Sequence, residues 1–176
     1  MFHLQSDNIY LSSALSYYCQ HKGIHLNLEQ NEPFFAHLVI RQHHNVFEIT
    51  CNSQTLKLTT PQHIQIYFDN IMSLLKNVQI NFGELIYSPI LQVLELKKKN
   101  LKLKNIHNII LSNLLLYLDK GIEKPTLYKK IWPNDKSYHI NKLDTHLTNL
   151  KNELKESLNF DLIFSSSGGN LKLRIN

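Results

Sequence analysis

The sequence predicts an α+β protein made of two small domains, and two observations indicate this. First, a chain of 176 residues with 43% hydrophobic and 10% aromatic residues suits one ordinary core or two small ones. Second, the strand and helix pattern and the charge both change near residue 78. Residues 1–77 carry four basic and five acidic residues, whereas the rest carry fifteen basic and nine acidic ones, a net charge of +6. We therefore expect domains at 1–77 and 78–176.

Several classes of protein do not fit this composition. No run of about 18 uncharged apolar residues occurs, and the opening MFHLQSDNIYLSS lacks the basic and apolar regions of a secretory signal. A cytoplasmic protein without a membrane segment is expected. Cys19 and Cys51 lie far apart without C-x-x-C pairing, so we expect two buried free thiols.

The first half reads as a small α/β unit. In residues 9–22, Leu11, Leu15 and Tyr18 recur at helical spacing, and Gly23 is a natural stop. Strand-like runs follow at 25–29, 36–41, 46–51 and 55–58. After Pro61 the segment QHIQIYFDNIMSLLK has helical periodicity as far as residue 76.

The second half begins with strands and continues with helices. INFGELIYS, ILQVLEL and LKL, with a basic turn at 97–100, indicate an antiparallel meander. Helices are expected at 106–118, at TLYKKIW after Pro125, and at 141–158. The closing DLIFSSSGGNLKLRI predicts a β-hairpin around a Ser/Gly turn. Three helices followed by a hairpin describe a winged helix-turn-helix.

The helix predicted at 141–158 has two different faces. Leucines recur every three or four residues and predict a core face: Leu143, Leu147, Leu150, Leu154 and Leu158. The opposite side carries amides, hydroxyls and lysines, which suit base edges and phosphates. A solvated polar face is the alternative. The basic excess of this half indicates an anionic partner such as nucleic acid or an acidic membrane surface.

Residues 80–176 resemble the DNA-binding effector domain of the OmpR/PhoB-type response regulators. The matching pieces, in order, are FGELIY, LLLYLDKG, LYKKIW, LDTHLTNLKNEL and SGGNLKL. The resemblance implies that the third helix lies in the major groove of double-stranded DNA while the wing touches the backbone or minor groove. The residues it assigns to DNA are Lys142, Thr145, His146, Asn149, Lys151, Ser167 and Lys172. Asn149 and Lys151 stand where the family often has arginine, so adenine rather than guanine would suit Asn149.

The first half resembles a shortened, degenerate receiver domain. FHLQSDN, AHLVIRQ and LTTPQHIQIYFDNIMSLL match the first strand, the strand that ends at the phosphate acceptor, and the last strand with its cis-proline turn and helix. Receivers need an acidic pair, an acceptor aspartate and a lysine, because phosphoryl transfer depends on charge neutralisation. In the alignment that the resemblance implies, only Asp7 remains of the acidic pair. Gln42 stands at the position of the acceptor aspartate, and Thr60 stands at the position of the lysine. We expect a two-component-like regulator that acts without phosphorylation.

The resemblance also implies a homodimer through the last helix of the first half, with RNA polymerase as a further partner. The dimer face would comprise Ile64, Tyr67, Phe68 and Ile71, although most of these side chains could instead pack on their own sheet. A dimer would bring two recognition helices to two half-sites.

No pattern in the sequence indicates an enzyme, a cofactor or a metal. The chain has no Ser/His/Asp arrangement, glycine-rich phosphate loop or close carboxylate pair. His37, His43 and His44 are interpreted as strand and turn residues, because adjacent strand positions point to opposite faces. Two functions remain: a sequence-specific transcription regulator, or a protein-interaction scaffold whose winged fold has lost DNA binding.

Overall fold

The structure is a computed structural model that describes residues 1–28, 32–167 and 169–174, with only the backbone described at 166 and 167. The chain divides into two compact units. The first unit is Met1–Val78 and the second unit is Gln79–Asn176. Each unit is described by itself.

The first unit contains five strands and two helices among its described residues. They follow the chain as β1 (Phe2–Ser6), α1 (Ile9–His21), β2 (Leu26–Asn27), β3 (His37–His43), β4 (Val46–Cys51), β5 (Gln54–Thr59) and α2 (Ile64–Lys76). The sheet order is β2-β1-β3-β4-β5. Strand β1 is parallel to both of its neighbours, whereas β3, β4 and β5 form antiparallel hairpins. Short turns replace the crossover helices that a parallel sheet requires.

Both helices of the first unit cover the same face of its sheet. Alternate residues Leu38 and Ile40 of β3 pair with Cys51 and Ile49 of β4, and all four are buried. Phe47 lies on the same face, and its ring centroid is 5.2 Å from that of Tyr67 in α2. The rings of Tyr18 in α1 and Phe68 in α2 lie 4.6 Å apart, so the helices are neighbours. Period-two burial in the strands produces this two-layer core.

Polar side chains fix the starts of the two helices. Asn8 caps α1 because its side-chain oxygen accepts a hydrogen bond from the amide of Leu11 at 3.0 Å. The Nδ1 atom of His63 accepts from the amide of Gln65 at 3.2 Å at the start of α2. The Thr60–Pro61 peptide bond before α2 is cis, as the resemblance to a receiver implies.

The second unit contains three helices and seven strands among its described residues. A meander precedes the helices: β6 (Ile80–Phe82), β7 (Leu85–Ser88), β8 (Val93–Leu96) and β9 (Lys99–Lys102). Next come α3 (Asn105–Leu116), β10 (Ile122–Glu123), α4 (Lys124–Ile131), α5 (Ile140–Leu158), β11 (Ile163–Ser167) and β12 (Asn170–Arg174). Strands β10, β12 and β11 form a second antiparallel sheet. This order confirms the predicted α+β class and the winged helix-turn-helix.

The core of the second unit lies among the helices and the meander. Helix α5 packs against α3, α4 and β9 through its five leucines, each of which is at most 6% exposed. Buried Tyr87 of β7 joins the meander to α3, because its hydroxyl lies 2.6 Å from the side-chain oxygen of Asn108 and 2.5 Å from Ser112 Oγ. Burial of these leucines supplies most of the stability of α5, at about 2 kcal/mol for each side chain.

Two details of the second unit differ from the sequence expectation. The basic turn is tighter than residues 97–100, because Lys97 and Lys98 adopt positive φ angles of 48° and 70° and Lys99 already belongs to β9. Strand β10 was not expected. It has only two residues, and its existence depends on pairing of Ile122 with Leu171 in the wing.

Two expectations about the whole chain can also be compared with the structure. Both cysteines are free and buried, as predicted. Among the described residues, none of the helices combines the length and the apolar character needed to cross a bilayer.

Gly121 connects α3 to β10 at a point where no larger residue fits. Its φ angle is +76°, and a Cβ atom there would lie 2.6 Å from Cγ of Lys172 and 3.1 Å from the carbonyl oxygen of Leu171. Gly169 in the wing turn also has a positive φ, +83°, but nothing lies within 4 Å of its Cβ position. A comparison of substitutions at the two glycines therefore distinguishes the cost of backbone strain from the cost of overpacking.

We expect Gly121→Ala to destabilise the second unit more than Gly169→Ala does. The left-handed backbone costs about 1–2 kcal/mol in either variant, and overpacking against β12 adds about 1–3 kcal/mol at Gly121 only. Urea unfolding followed by Trp132 fluorescence measures both variants in the unit that contains the tryptophan. Equal losses in the two variants would contradict the close packing of Gly121 against the wing.

His3 should make the first unit sensitive to acid. Its ring is 1% exposed, its Nδ1 atom has no hydrogen-bond partner, and it lies 4.5 Å from the ring of His37. Burial, and then the neighbouring His37, lower the pKa of His3. The unfolded chain therefore takes up a proton more readily, and stability falls as the pH decreases through about 6.5.

We expect His3→Phe to reduce the loss of stability between about pH 7.5 and about pH 5.5. Phenylalanine keeps the stacking on Phe34, whose ring centroid lies 5.2 Å from that of His3. Urea midpoints monitored by circular dichroism at both pH values provide the measurement. An unchanged pH dependence would mean that His3 is not the responsible group.

Candidate nucleic-acid interface

Helix α5 presents a stripe of polar side chains away from its leucine face. Successive residues of a helix are about 100° apart, so burial of the leucines fixes which positions point outward. We call five of these exposed positions the outer stripe: Asn141, Thr145, Thr148, Asn149 and Asn152. These five side chains carry no charge and offer amide and hydroxyl groups from Asn141 to Asn152, and exposed Glu156 follows on the same side one turn later.

The hydroxyl groups and the amides of the outer stripe differ in their hydrogen bonding. Thr145 Oγ1 donates to the carbonyl of Asn141 at 2.7 Å, and Thr148 Oγ1 donates to that of Asp144 at 2.9 Å. These hydroxyl oxygens can still accept hydrogen bonds from outside. Asn149 and Asn152 are exposed, and an amide side chain can both donate and accept. The amides are therefore the groups best suited to a bidentate contact.

Lys142 belongs to a cluster at the start of α5 rather than to the outer stripe. Its ammonium group lies 2.8 Å from Oδ2 of Asp135 and 4.2 Å from the ring centroid of Trp132. Tyr128 donates its hydroxyl hydrogen to the same carboxylate at 2.7 Å. The bond to Lys142 lowers the pKa of Asp135 and raises that of Lys142, so both stay charged at neutral pH. The cluster fixes the connection from α4 to α5.

His146 is half-buried on the side of α5 that faces α3 and α4. Its ring lies 5.5 Å from Trp132 and 5.9 Å from His107. Burial, followed by the electrostatic influence of His107, Lys142 and Lys104, lowers the pKa of His146. The imidazole is therefore neutral at pH 7 and would meet a phosphate as a hydrogen-bond donor without a full charge.

A polar groove of about 580 Å³ runs beside His146 and Asn149 towards the end of α5. Glu153 forms part of its wall and holds Nδ1 of buried His107 at 2.6 Å, while Glu156 is exposed at the same end. Carboxylates repel phosphates, so the second half of α5 is less suited to a nucleic-acid backbone than the first half.

The remaining residues assigned to DNA lie at the flank of α5 and in the wing. Lys151 is exposed, on the flank opposite to His146. Lys172 of β12 donates from its ammonium group to the carbonyl of Asp119 at 2.9 Å, so part of its hydrogen-bonding capacity is used within the unit. The side chain of Ser167 lies outside the described part of the structure. The structure brings Lys142 and His146 together and leaves Lys151 and Lys172 at separate places.

In the first unit, the residues that the resemblance aligned with a phosphorylation site meet at one end of the sheet. The backbone N–H of Gln42 donates to Oδ2 of Asp7 at 3.2 Å, and Asn8 donates its side-chain amide hydrogen to Oε1 of Gln42 at 3.1 Å. The ends of β1 and β3 therefore face each other as in the alignment. Gln42, which the resemblance places at the acceptor position, is neutral and already hydrogen-bonded.

The four residues assigned to a dimer face have different environments. Tyr67, Phe68 and Ile71 are at most 7% exposed and pack inside the first unit, because they belong to the apolar face that α2 turns towards the sheet. Ile64 is 47% exposed, and neighbouring Ile66 is 44% exposed. Of the four residues assigned to the dimer face, only Ile64 is thus accessible to a partner. The neighbouring Ile66, which was not assigned to that face, is accessible as well.

Sequence reasoning missed Asn141 and Thr148 of the outer stripe. The signal was present in the spacing, because 141, 145, 148 and 152 repeat every three or four residues like the leucines on the other side. It also missed the contact of Lys142 with Asp135, which depends on how the chain between α4 and α5 folds.

The chain is similar to several solved structures. No protein-family model and no curated protein matches it. The DNA-binding domain of E. coli CadC is 13% identical with a TM-score of 0.47, over 55% of this chain and 91% of that one. The C-terminal domain of NsrR, a lantibiotic response regulator of nisin resistance, is 26% identical with a TM-score of 0.43, over 53% and 93%. A mutant of RitR is 9% identical with a TM-score of 0.47, over 99% of both chains.

The second unit has the leading antiparallel strands, three helices and terminal hairpin that the sequence resemblance implies. The first unit is an α/β unit with two parallel strand pairs and a cis-proline turn before its last helix. The chain thus combines a small α/β unit with a winged helix-turn-helix that follows a four-stranded meander.

Proposed function

We propose that the chain is a sequence-specific regulator of transcription that binds double-stranded DNA and acts without aspartate phosphorylation. It is not an enzyme in this proposal. The outer stripe of α5 is the single observation that carries the proposal. It offers five uncharged hydrogen-bonding side chains on a helix that the unit holds by its opposite face.

The dimensions and the ends of α5 suit a position in the major groove. Its 19 residues span roughly 28 Å, and a major groove about 12 Å wide admits one helix. No side chain caps its first turn, and no acidic residue lies there. The free backbone N–H groups and the positive end of the helix dipole can therefore face a phosphate.

The net charge of the second half of the sequence also supports a position of α5 in the major groove. The half of the sequence that contains the second unit carries the net charge of +6, and neutralised phosphates release counterions on binding. Exposed Lys151 is well placed for such a contact, while Asn149 can pair with adenine through two hydrogen bonds. We assign base discrimination to the outer stripe and general affinity to the lysines.

Independence from phosphorylation is supported by Gln42. A side-chain amide cannot form the acyl phosphate that an aspartate forms. The side-chain oxygen of Gln42 already accepts a hydrogen bond from Asn8, and the backbone N–H of Gln42 donates to Asp7. We further propose that a homodimer forms through the exposed side of α2 that carries Ile66, which would place two second units on two half-sites.

A protein-interaction scaffold is the second candidate. The observations that favour it are the contacts that Lys142 and Lys172 already make within the second unit, and the carboxylates of Glu153 and Glu156 beside Asn149. In that function the outer stripe would bind another protein.

Salt dependence separates the two candidates. If the second unit binds DNA, affinity for a random duplex falls steeply with salt, with a slope of about 0.9 in log–log form for each phosphate contact. Fluorescence anisotropy of a labelled duplex at several salt concentrations measures this slope. No binding at low salt would favour the scaffold.

We expect Asn149→Ala and Lys151→Ala to affect different properties. Loss of the amide removes about 1–3 kcal/mol of discrimination between sites, whereas loss of the ammonium weakens binding to all sequences and lowers the salt slope by about 1. Competition between a selected site and random duplex measures both effects. Lys57→Ala, in the first unit, is the control. Unchanged affinity and specificity in both variants would refute the proposed docking.

The protein should not accept a phosphoryl group from a small-molecule donor. Incubation with acetyl phosphate and Mg²⁺, followed by intact mass spectrometry, is expected to show no added phosphoryl group. DNA affinity should be the same with and without the donor. A stoichiometric gain mapped to residues 36–60 would contradict the role given to Gln42.

A further inference from the structure

A cleft of about 480 Å³ opens in the first unit beside the Asp7–Gln42 contact. It lies between the start of α1 and the start of α2, at the sheet end where β1 and β5 finish. Apolar and aromatic side chains form most of its wall: Tyr10, Leu11, Ala14, Phe47, Ile64 and Tyr67. Asn8, which donates to Gln42, also lines the cleft.

The mouth of the cleft exposes large apolar surface. Tyr10 is 85% exposed and Ile64 is 47% exposed, while Leu11 beneath them is buried. An occupant would remove part of the apolar surface of Tyr10 and Ile64 from water, which is favourable.

Tyr67 gives the cleft an unused hydrogen-bonding group. The residue is 6% exposed, and its hydroxyl has no hydrogen-bond partner although it is buried. Burial raises the pKa of Tyr67, so the hydroxyl keeps its proton at physiological pH and can donate. An unpaired buried hydroxyl destabilises the folded chain, and an occupant whose acceptor atom reaches this hydroxyl would satisfy it.

The size and charge of the cleft identify the class of occupant. Its volume lies within the range of about 300–1,000 Å³ that is typical of small-molecule sites. The described residues that line it include no charged side chain, and its other polar groups are the uncharged Thr60 and Gln62. A charged ligand would lose its hydration without compensation. A concave wall of this size also suits a compact molecule better than a flat protein surface.

We propose that the cleft binds one neutral, mainly apolar small molecule whose hydrogen-bond acceptor pairs with the Tyr67 hydroxyl. The ligand would lie against Asn8, next to the position where a receiver carries its phosphoryl group. Binding in the first unit does not depend on whether the second unit binds DNA, so the two proposals can fail separately.

Two dyes of similar size test the proposal on the full chain. Prodan is a neutral naphthalene with one carbonyl acceptor, and anilinonaphthalene sulfonate carries a negative charge. We expect saturable binding of one prodan per chain, and affinity for the sulfonate that is at least about tenfold lower. Equal affinity for the two dyes, or no saturable binding of prodan, overturns the proposal.

Substitutions locate the bound dye. Ala14→Leu fills the cleft and should lower prodan affinity by about tenfold or more, while Ser13→Leu, on the exposed side of the same helix, should leave it unchanged. Tyr67→Phe should lower affinity roughly threefold to tenfold and shift prodan emission to shorter wavelength, because the carbonyl loses its donor. Circular dichroism verifies folding of each variant.

Other outcomes contradict the assignment. Equal effects of Ala14→Leu and Ser13→Leu would place the dye elsewhere, and an unchanged prodan spectrum in Tyr67→Phe would remove the role of the hydroxyl. Sedimentation velocity tests a second copy as the occupant. A dimer that Ala14→Leu disperses would give the cleft to a second copy and overturn the proposal.

Discussion

Burial of the leucine face of α5 is the constraint on which the second unit depends. Five leucines at helical spacing pack against α3, α4 and β9, and this packing sets the rotation of the helix about its axis. Every other property of α5 follows from that rotation. It turns the outer stripe to solvent, directs His146 and Lys142 towards Trp132, and leaves Glu153 beside buried His107. A change in the core of the unit would therefore change the chemistry of its surface.

The sequence predicted the long elements well because their periodicity is a property of the chain itself. The helix from Ile140 to Leu158 was expected within one residue, and β4 was expected with its observed bounds. Strand β10 could not be predicted, since two residues have no period and the strand exists only through pairing with β12. The contact between Lys142 and Asp135 was missed for a similar reason, because it spans a connection without periodicity.

The topology of the first unit sets which residues meet at one end of its sheet. Strands β1 and β3 are parallel neighbours, so Asp7 and Gln42 meet at their carboxyl ends. The later strands are antiparallel hairpins, which need few residues and allow a five-stranded sheet within Met1–Val78. Residue pattern alone could place the strands but not their directions, because period-two burial is the same in parallel and antiparallel pairs. Likewise, apolar spacing in α2 could not separate the buried Tyr67 from the exposed Ile64.

The two cysteines of the first unit have a consequence for how the chain responds to oxidants. Cys19 is 0% exposed and Cys51 is 3% exposed. Burial raises the pKa of Cys19 to about 11 and also raises that of Cys51. Because the thiolate is the form that reacts, both sulfur atoms are poor targets for peroxide and for disulfide exchange. Both thiols therefore become reactive only when the sheet and helices around them open.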